Sequence, residues 1–231
     1  KDSVVLNTTA SILNRGGKIS SEGDVTLASL EDIDIQSGVV EGKNISLKAA
    51  RNINVETVNT NIMEGINNDD LLNQQALIDA EIDVEVASGN DLTLKGASLK
   101  SGGKTTLGSG GDTTIETAQT KDSHNADFGN GYDQRSEVSN LGSNVSARGD
   151  LVLASQQDLA LTGSSLSSDN NVSLDLKGKV RIASAQDTLS AKSQTKTDNG
   201  GFFGGSSQSE SQSSQTTQVA SGITAGGNLT I

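Results

Sequence analysis

Four short strings, Asp24-Val25-Thr26-Leu27, Asp32-Ile33-Asp34-Ile35, Asn44-Ile45-Ser46-Leu47 and Asn52-Ile53-Asn54-Val55, carry one pattern: an Asp or Asn, then apolar–polar–apolar. Ile33 follows Val25 at i+8, Ile53 follows Ile45 at i+8, and Ile45 follows Val25 at i+20. Alternation with a period of two marks a short strand with one buried face. A fixed spacing of about 20 residues marks a repeat architecture.

Carried along the chain, the pattern yields three sets of positions. Val25, Ile45, Val84, Thr105, Leu151, Val172 and Leu229 lead a first strand. Ile33, Ile53, Leu92, Thr113, Leu159 and Val180 lead a second, each at i+8 from its first-strand partner. Ile19, Val39, Ile78, Leu99, Val145, Leu166 and Ile223 mark a third, each at i−6 from the next first-strand leader. A weaker earlier turn fits Val4, Leu6 and Ile12. Thr105 and Thr113 replace aliphatics at inward positions, and Ile82 stands at a corner where Gly is usual.

Three short strands in each repeat describe a coil of triangular section. One such turn buries too few side chains to offset the entropy of ordering it, so turns must stack as a solenoid. Parallel strands joined by crossovers are overwhelmingly right-handed. The expected fold is therefore an all-β, right-handed parallel β-helix over residues 1–231, a single segment of a longer protein. Seven steps at about 4.8 Å would make it roughly 34 Å long. A narrow core of this kind suits Val, Ile and Leu and has no room for bulky rings. The composition agrees: aromatics are 2% of the chain, and none occupies an inward position. A globular sandwich would place aromatics there.

First-strand spacings are 20 or 21 within pairs but 39, 46 and 57 between pairs. The extra residues, about 56–77, 116–144 and 183–222, always follow the second strand, so they leave one corner of the coil on every second turn. The latter two are rich in Ser, Gln and Thr around Phe128-Gly129-Asn130-Gly131-Tyr132 and Gly200-Gly201-Phe202-Phe203-Gly204-Gly205. Turn glycines between polar arms point to long hairpins; polar linkers are the other reading. In the first excursion, Asn67-Asn68-Asp69-Asp70 fits either a hairpin tip or a helix N-cap. All four aromatics, Phe128, Tyr132, Phe202 and Phe203, fall at these tips. They are candidate interaction residues for a partner protein, a membrane interface or a neighbouring hairpin, or else they pack on the coil flank or across the turn.

Other chemistry is thin. The net charge of −12 disfavours nucleic-acid binding. With no Cys, neither a thiol nucleophile nor a Cys-ligated metal is available. Asp or Asn precedes the strands at 24, 44, 83, 150, 171 and 228 and at 32, 52, 91, 112 and 158. Stacked carboxylates could hold Ca²⁺, but Asx side chains also serve turns by binding nearby backbone, and that reading is adopted. His124, the one histidine, lies in a polar excursion and reads as a solvated side chain, and the arginines are scattered, so no catalytic pair is localised. No enzyme activity and no cofactor are expected.

Gly149-Asp150-Leu151-Val152-Leu153, Leu161-Thr162-Gly163-Ser164-Ser165-Leu166 and Gly222-Ile223-Thr224-Ala225-Gly226-Gly227-Asn228-Leu229-Thr230-Ile231 resemble the haemagglutinin repeats of large two-partner-secretion exoproteins. That group holds filamentous haemagglutinin adhesins and contact-dependent growth-inhibition proteins that deliver toxins. The Ser/Thr/Gln-rich insert with its Gly-Phe-Phe-Gly tip is similar to the second repeat region of the toxin-delivery branch. The resemblance implies a rod segment of a secreted or cell-surface protein of a Gram-negative bacterium. It also implies export through an outer-membrane β-barrel partner, and engagement of the target cell's outer membrane or envelope proteins during toxin translocation. The alternative is a passive stalk or adhesin shaft.

Overall fold

The alternating strings fold as their spacing requires. The computed structural model describes residues 2–198 and 204–231, in which there are strands and no helix. Each coil contributes one strand to each of three parallel sheets, of eight, seven and seven strands. Val25 pairs with Val4 on one side and Ile45 on the other, and Ile33 lies between Ile12 and Ile53. The chain is a parallel β-helix.

Inward positions superpose from coil to coil. Leu27, Leu47, Val86, Leu107 and Leu153 form one column, and Ile35, Val55, Leu94, Ile115 and Leu161 another. These residues are at most 1% exposed, so the core is a continuous aliphatic cord running the length of the coil. No aromatic residue is buried among the described residues.

The third column differs from the sequence expectation by one position. Val40, not Val39, aligns with Ile19 and Ile78. In every coil whose second and third strands follow directly, the inward third-strand residue stands at i+7 from the second-strand leader, as Ile12 to Ile19 and Ile33 to Val40. The single short coil, from Val25 to Ile45, loses its missing residue at the later corner, between Val40 and Ile45, so counting backwards from Ile45 misses by one. Val39 is nevertheless buried, at 5% exposure.

The two inward threonines are partnered rather than tolerated. Thr105 Oγ1 lies 2.7 Å from Ser101 Oγ, and Thr113 Oγ1 lies 2.8 Å from Ser109 Oγ. Ser109 Oγ also donates to the Gly111 carbonyl, and Ser155 Oγ to the same carbonyl from the next coil. Corner serines therefore satisfy the hydroxyls that the core takes in. Ile82 projects outward at its corner, while its N–H donates to the Lys43 carbonyl and its own carbonyl accepts from Gly103 N.

The Asx positions form two ladders along the coil. Asp32 Oδ1 accepts from Asn52 N, Asn52 Oδ1 from Asp91 N, Asp91 Oδ1 from Asp112 N, and Asp112 Oδ1 from Asp158 N. In the other row, Asp83 N donates to Asn44 Oδ1, and Asn171 N to Asp150 Oδ1. Each side chain thus binds the backbone N–H at the equivalent position one coil on, at the corner where strand pairing lapses. The Asx signature is structural, but the bond runs between coils rather than within a turn.

Leu107→Ala should lower unfolding free energy by about 3 kcal/mol through a cavity that the stacked coils cannot close. Thr113→Val should cost about 0.5–1.5 kcal/mol, the worth of one hydrogen bond, because Ser109 keeps its other partners. Denaturant titration followed by circular dichroism measures both.

Candidate functional site

The three excursions are hairpins, with arms Asn59–Glu64 and Asn67–Leu72, Ala118–Asp127 and Gly131–Leu141, and Ala185–Asp198 and Ser206–Val219. In the first, Gly65 and Ile66 make the turn, with Gly65 at φ +62°, a conformation natural to glycine. Asn67-Asn68-Asp69-Asp70 therefore begins the return arm and is neither tip nor N-cap. In the second, Phe128 N donates to Gly131 O around Gly129, at φ +78°.

Each excursion is tied shut where it leaves the coil. Ser143 Oγ donates to the Glu116 carbonyl, joining the two ends of the second hairpin. Ser221 Oγ does the same to Ala183 for the third. At the first, Thr57 Oγ1 accepts from Ala76 N. The serines are also linked to one another: Ala97 N donates to Ser143 Oγ, Ser143 N to Ser164 Oγ, and Ser164 N to Ser221 Oγ. A signal for this existed in the sequence. Residues 76, 97, 143, 164 and 221 are all Ala or Ser and stand two before the inward third-strand residue.

The hairpins do not project separately. Side by side, they form one six-stranded antiparallel sheet. The geometry explains why. Two coils rise about 9.6 Å, and a hairpin of two strands at about 4.8 Å spacing is equally wide. A hairpin on every second coil therefore comes close enough to its neighbour to pair with it.

The two seams differ. Between the second and third hairpins, eight residue pairs are in register, from Gly131 with Thr195 to Val138 with Thr188. Near the root, Asp187 Oδ1 takes over, accepting from Asn140 N at 2.8 Å. Between the first and second, the register covers just Asn67 with His124 and Asn68 with Ser123, and Asn125 N donates to the Ile66 carbonyl beside them. Below them the arms part, and carboxylates bridge the space: Asp122 Oδ1 accepts from Asp70 N at 2.8 Å, and Asp70 Oδ2 from Lys121 N at 3.0 Å. His124 is half-buried rather than solvated, with Nδ1 2.6 Å from Asn67 Oδ1. Arg135 lies beside it and pairs with Glu137 at 2.6 Å. Nothing in the sequence alone distinguishes Asp70, Asp122 and Asp187 from other surface acids, because their role depends on which hairpins become neighbours.

Phe128 and Tyr132 both lie at the tip of the second hairpin. Phe128 is 67% exposed, and Tyr132 is half-buried between Asp127 and Gln194 on the flanking strands. Phe202 and Phe203 fall outside the described residues. The sheet is not uniform: the first hairpin exposes Ile62, Met63, Ile66, Leu71 and Leu72, whereas the third is polar in its outer part. In the outer part of the third hairpin, 190–198 and 206–214, Ala191 is the only apolar residue.

The chain belongs to the hemagglutinin repeat family, whose repeat matches residues 6–63, 57–127, 122–200 and 203–231. The second and third matches each run from one hairpin to the next, so the family's unit here is a block of two coils with its excursion. No curated protein and no solved structure matches the chain.

Asp70→Ala with Asp122→Ala should open the first seam while leaving the coil intact. Exchange of the Asp70 and Lys121 amides should speed up about tenfold or more, as expected when a charge-assisted bond is lost. Ser143→Ala strands the Ala97 N–H in a buried corner, while the Glu116 carbonyl keeps only its bond from Gly96 N. It should destabilise the chain by about 1–3 kcal/mol in denaturant unfolding.

Proposed function

We propose that this chain is a non-catalytic rod segment of a secreted, contact-dependent toxin-delivery exoprotein of a Gram-negative bacterium. In this reading the parent leaves the cell through an outer-membrane β-barrel partner. The hairpin sheet then engages the target cell's outer membrane or envelope proteins during translocation of the toxin. The observation that carries the proposal is the sheet itself. A stack built only for length and stiffness has no need of three excursions on one corner, tied at their roots and joined into a single blade.

The surface chemistry narrows what that engagement is. A β-sheet immersed in hydrocarbon needs an apolar outward face, and the outer part of the third hairpin consists, Ala191 apart, of Ser, Gln, Thr and charged residues. The blade suits hydrogen bonding to headgroups, saccharide or protein, with the exposed ring of Phe128 as an anchor on a wet surface. The second reading, a passive stalk or adhesin shaft, draws on the uninterrupted core, which supplies stiffness whether or not the blade touches anything.

Replacing Phe128, Tyr132, Phe202 and Phe203 with Ser in the full-length exoprotein separates the two. Loss of aromatic anchors worth about 2 kcal/mol together should weaken attachment roughly thirtyfold. Toxin delivery should fall with it while export and surface display stay normal. Full delivery by the variant supports the passive shaft.

A further inference from the structure

In the turn of the second hairpin, Asn130 is followed by Gly131. An asparagine carboxamide sits within reach of the backbone nitrogen of the next residue, and attack by that nitrogen on Cγ closes a five-membered ring. Three conditions favour the step. The carboxamide must be exposed, the next residue must leave its nitrogen accessible, and that N–H must not be engaged elsewhere.

The tip meets all three. Asn130 is exposed and stands in the bend between the two arms, where Asp127 Oδ1 takes the Gly129 N–H at 2.9 Å and leaves the asparagine side chain clear. Gly131 has no Cβ, and the seam keeps it so, because a Cβ there would run into the Gln194 carbonyl of the neighbouring hairpin. The Gly131 N–H is idle. Lys196 N donates to the Asn130 carbonyl at 2.7 Å, which makes Gly131 and Thr195 a pair without mutual hydrogen bonds and turns the Gly131 N–H away from the third hairpin. On its other side Phe128 N donates to the Gly131 carbonyl at 2.8 Å, with no return bond from Gly131 N. Asn125, on the same hairpin, lacks these features. Its Oδ1 accepts from Gln134 Nε2 at 3.0 Å, and the next residue, Ala126, carries a Cβ, is buried and pairs with Asp133.

We propose that Asn130–Gly131 is a self-modifying site, at which the chain deamidates itself. Gly131 N loses its proton to hydroxide and attacks Asn130 Cγ, the carboxamide nitrogen leaves as ammonia, and water opens the resulting succinimide. Opening at Cγ leaves an aspartate at position 130. Opening at the backbone carbonyl leaves an isoaspartate, with the main chain rerouted through the side chain. The sum is one water in and one ammonia out. Either product puts a carboxylate beside the exposed ring of Phe128, on a tip that already carries Asp127 and Asp133. Loss of ammonia makes the change one-way, so the charge of the tip records the time since the chain was made.

Incubating the 231-residue chain at neutral and mildly alkaline pH, then digesting it with trypsin, tests this. Cleavage after Lys121 and Arg135 places Asn125 and Asn130 in one peptide. The second Asn-Gly, Asn199–Gly200, lies outside the described residues and falls in another peptide. Fragment masses should show conversion at residue 130 at least about tenfold faster than at Asn125, with a rate that rises in proportion to hydroxide. The same peptide should accept methyl groups from an isoaspartyl methyltransferase. Because the fold leaves the Gly131 N–H unengaged, unfolding the chain in urea should change the rate at residue 130 by less than about threefold. Asn130→Gln, whose longer side chain must close a six-membered ring, should keep the circular dichroism of the parent chain and abolish the label. Conversion no faster than at Asn125 overturns the proposal, as does a native rate far below the rate in urea. Methyl label that persists in the Asn130→Gln peptide overturns it too.

Discussion

Every strand in the coil takes its hydrogen-bond partners from the coils before and after it. That dependence constrains everything else in the molecule. Because a parallel ladder needs the same position to return to the same wall one turn later, the period set by Val25 over Ile45 and Val84 over Thr105 must hold wherever no insert intervenes. Where strands end at corners the ladder lapses, and the Asx side chains restore it by reaching the next coil's backbone. The aliphatic cord inside follows from the same register: once coils align, Leu stands over Leu whether or not the local segment prefers strand.

A structure bound in this way admits inserts only where the ends of the insert coincide. A hairpin meets that requirement, because its two arms begin and end a strand-width apart. The hydroxyls of Thr57, Ser143 and Ser221 hold the ends together at the root. Placing hairpins on alternate coils then has a lateral outcome. The width of each hairpin equals the rise of its two-coil block, so separate inserts are brought edge to edge as one sheet.

The coil was legible in the sequence because its determinants repeat. Val4, Val25 and Ile45 announce one another at 20 or 21 residues, and even the threonines at 105 and 113 keep register. The position of the excursions was equally plain from the uneven spacings. What escaped was lateral and non-repeating. The one-position offset of Val40 depends on which corner lost a residue, and spacing alone does not say which. The first excursion lacks the Ser/Gln/Thr arms of the others, so its hairpin could not be told from a helix start. The seams depend on pairs such as Asp70 with Lys121 and Asn140 with Asp187, far apart in the chain and unrelated by period. The serines at the roots sat between these cases: their offset is regular, but a small polar residue near a corner draws no attention.

The arms also lengthen along the axis, from 6 residues to 10 and 11 and then to 14. The blade is a tapered lever whose longest end stands farthest from the coil. A pull on that tip along its strands loads the eight pairs of the second seam in shear, all at once, rather than peeling them one by one. The torque then reaches the coil through three roots instead of one, except where the two-pair seam yields first and lets the shortest hairpin stay behind. Mechanically the molecule resembles a ratchet pawl on a shaft: stiff against a lengthwise tug and compliant at one known joint.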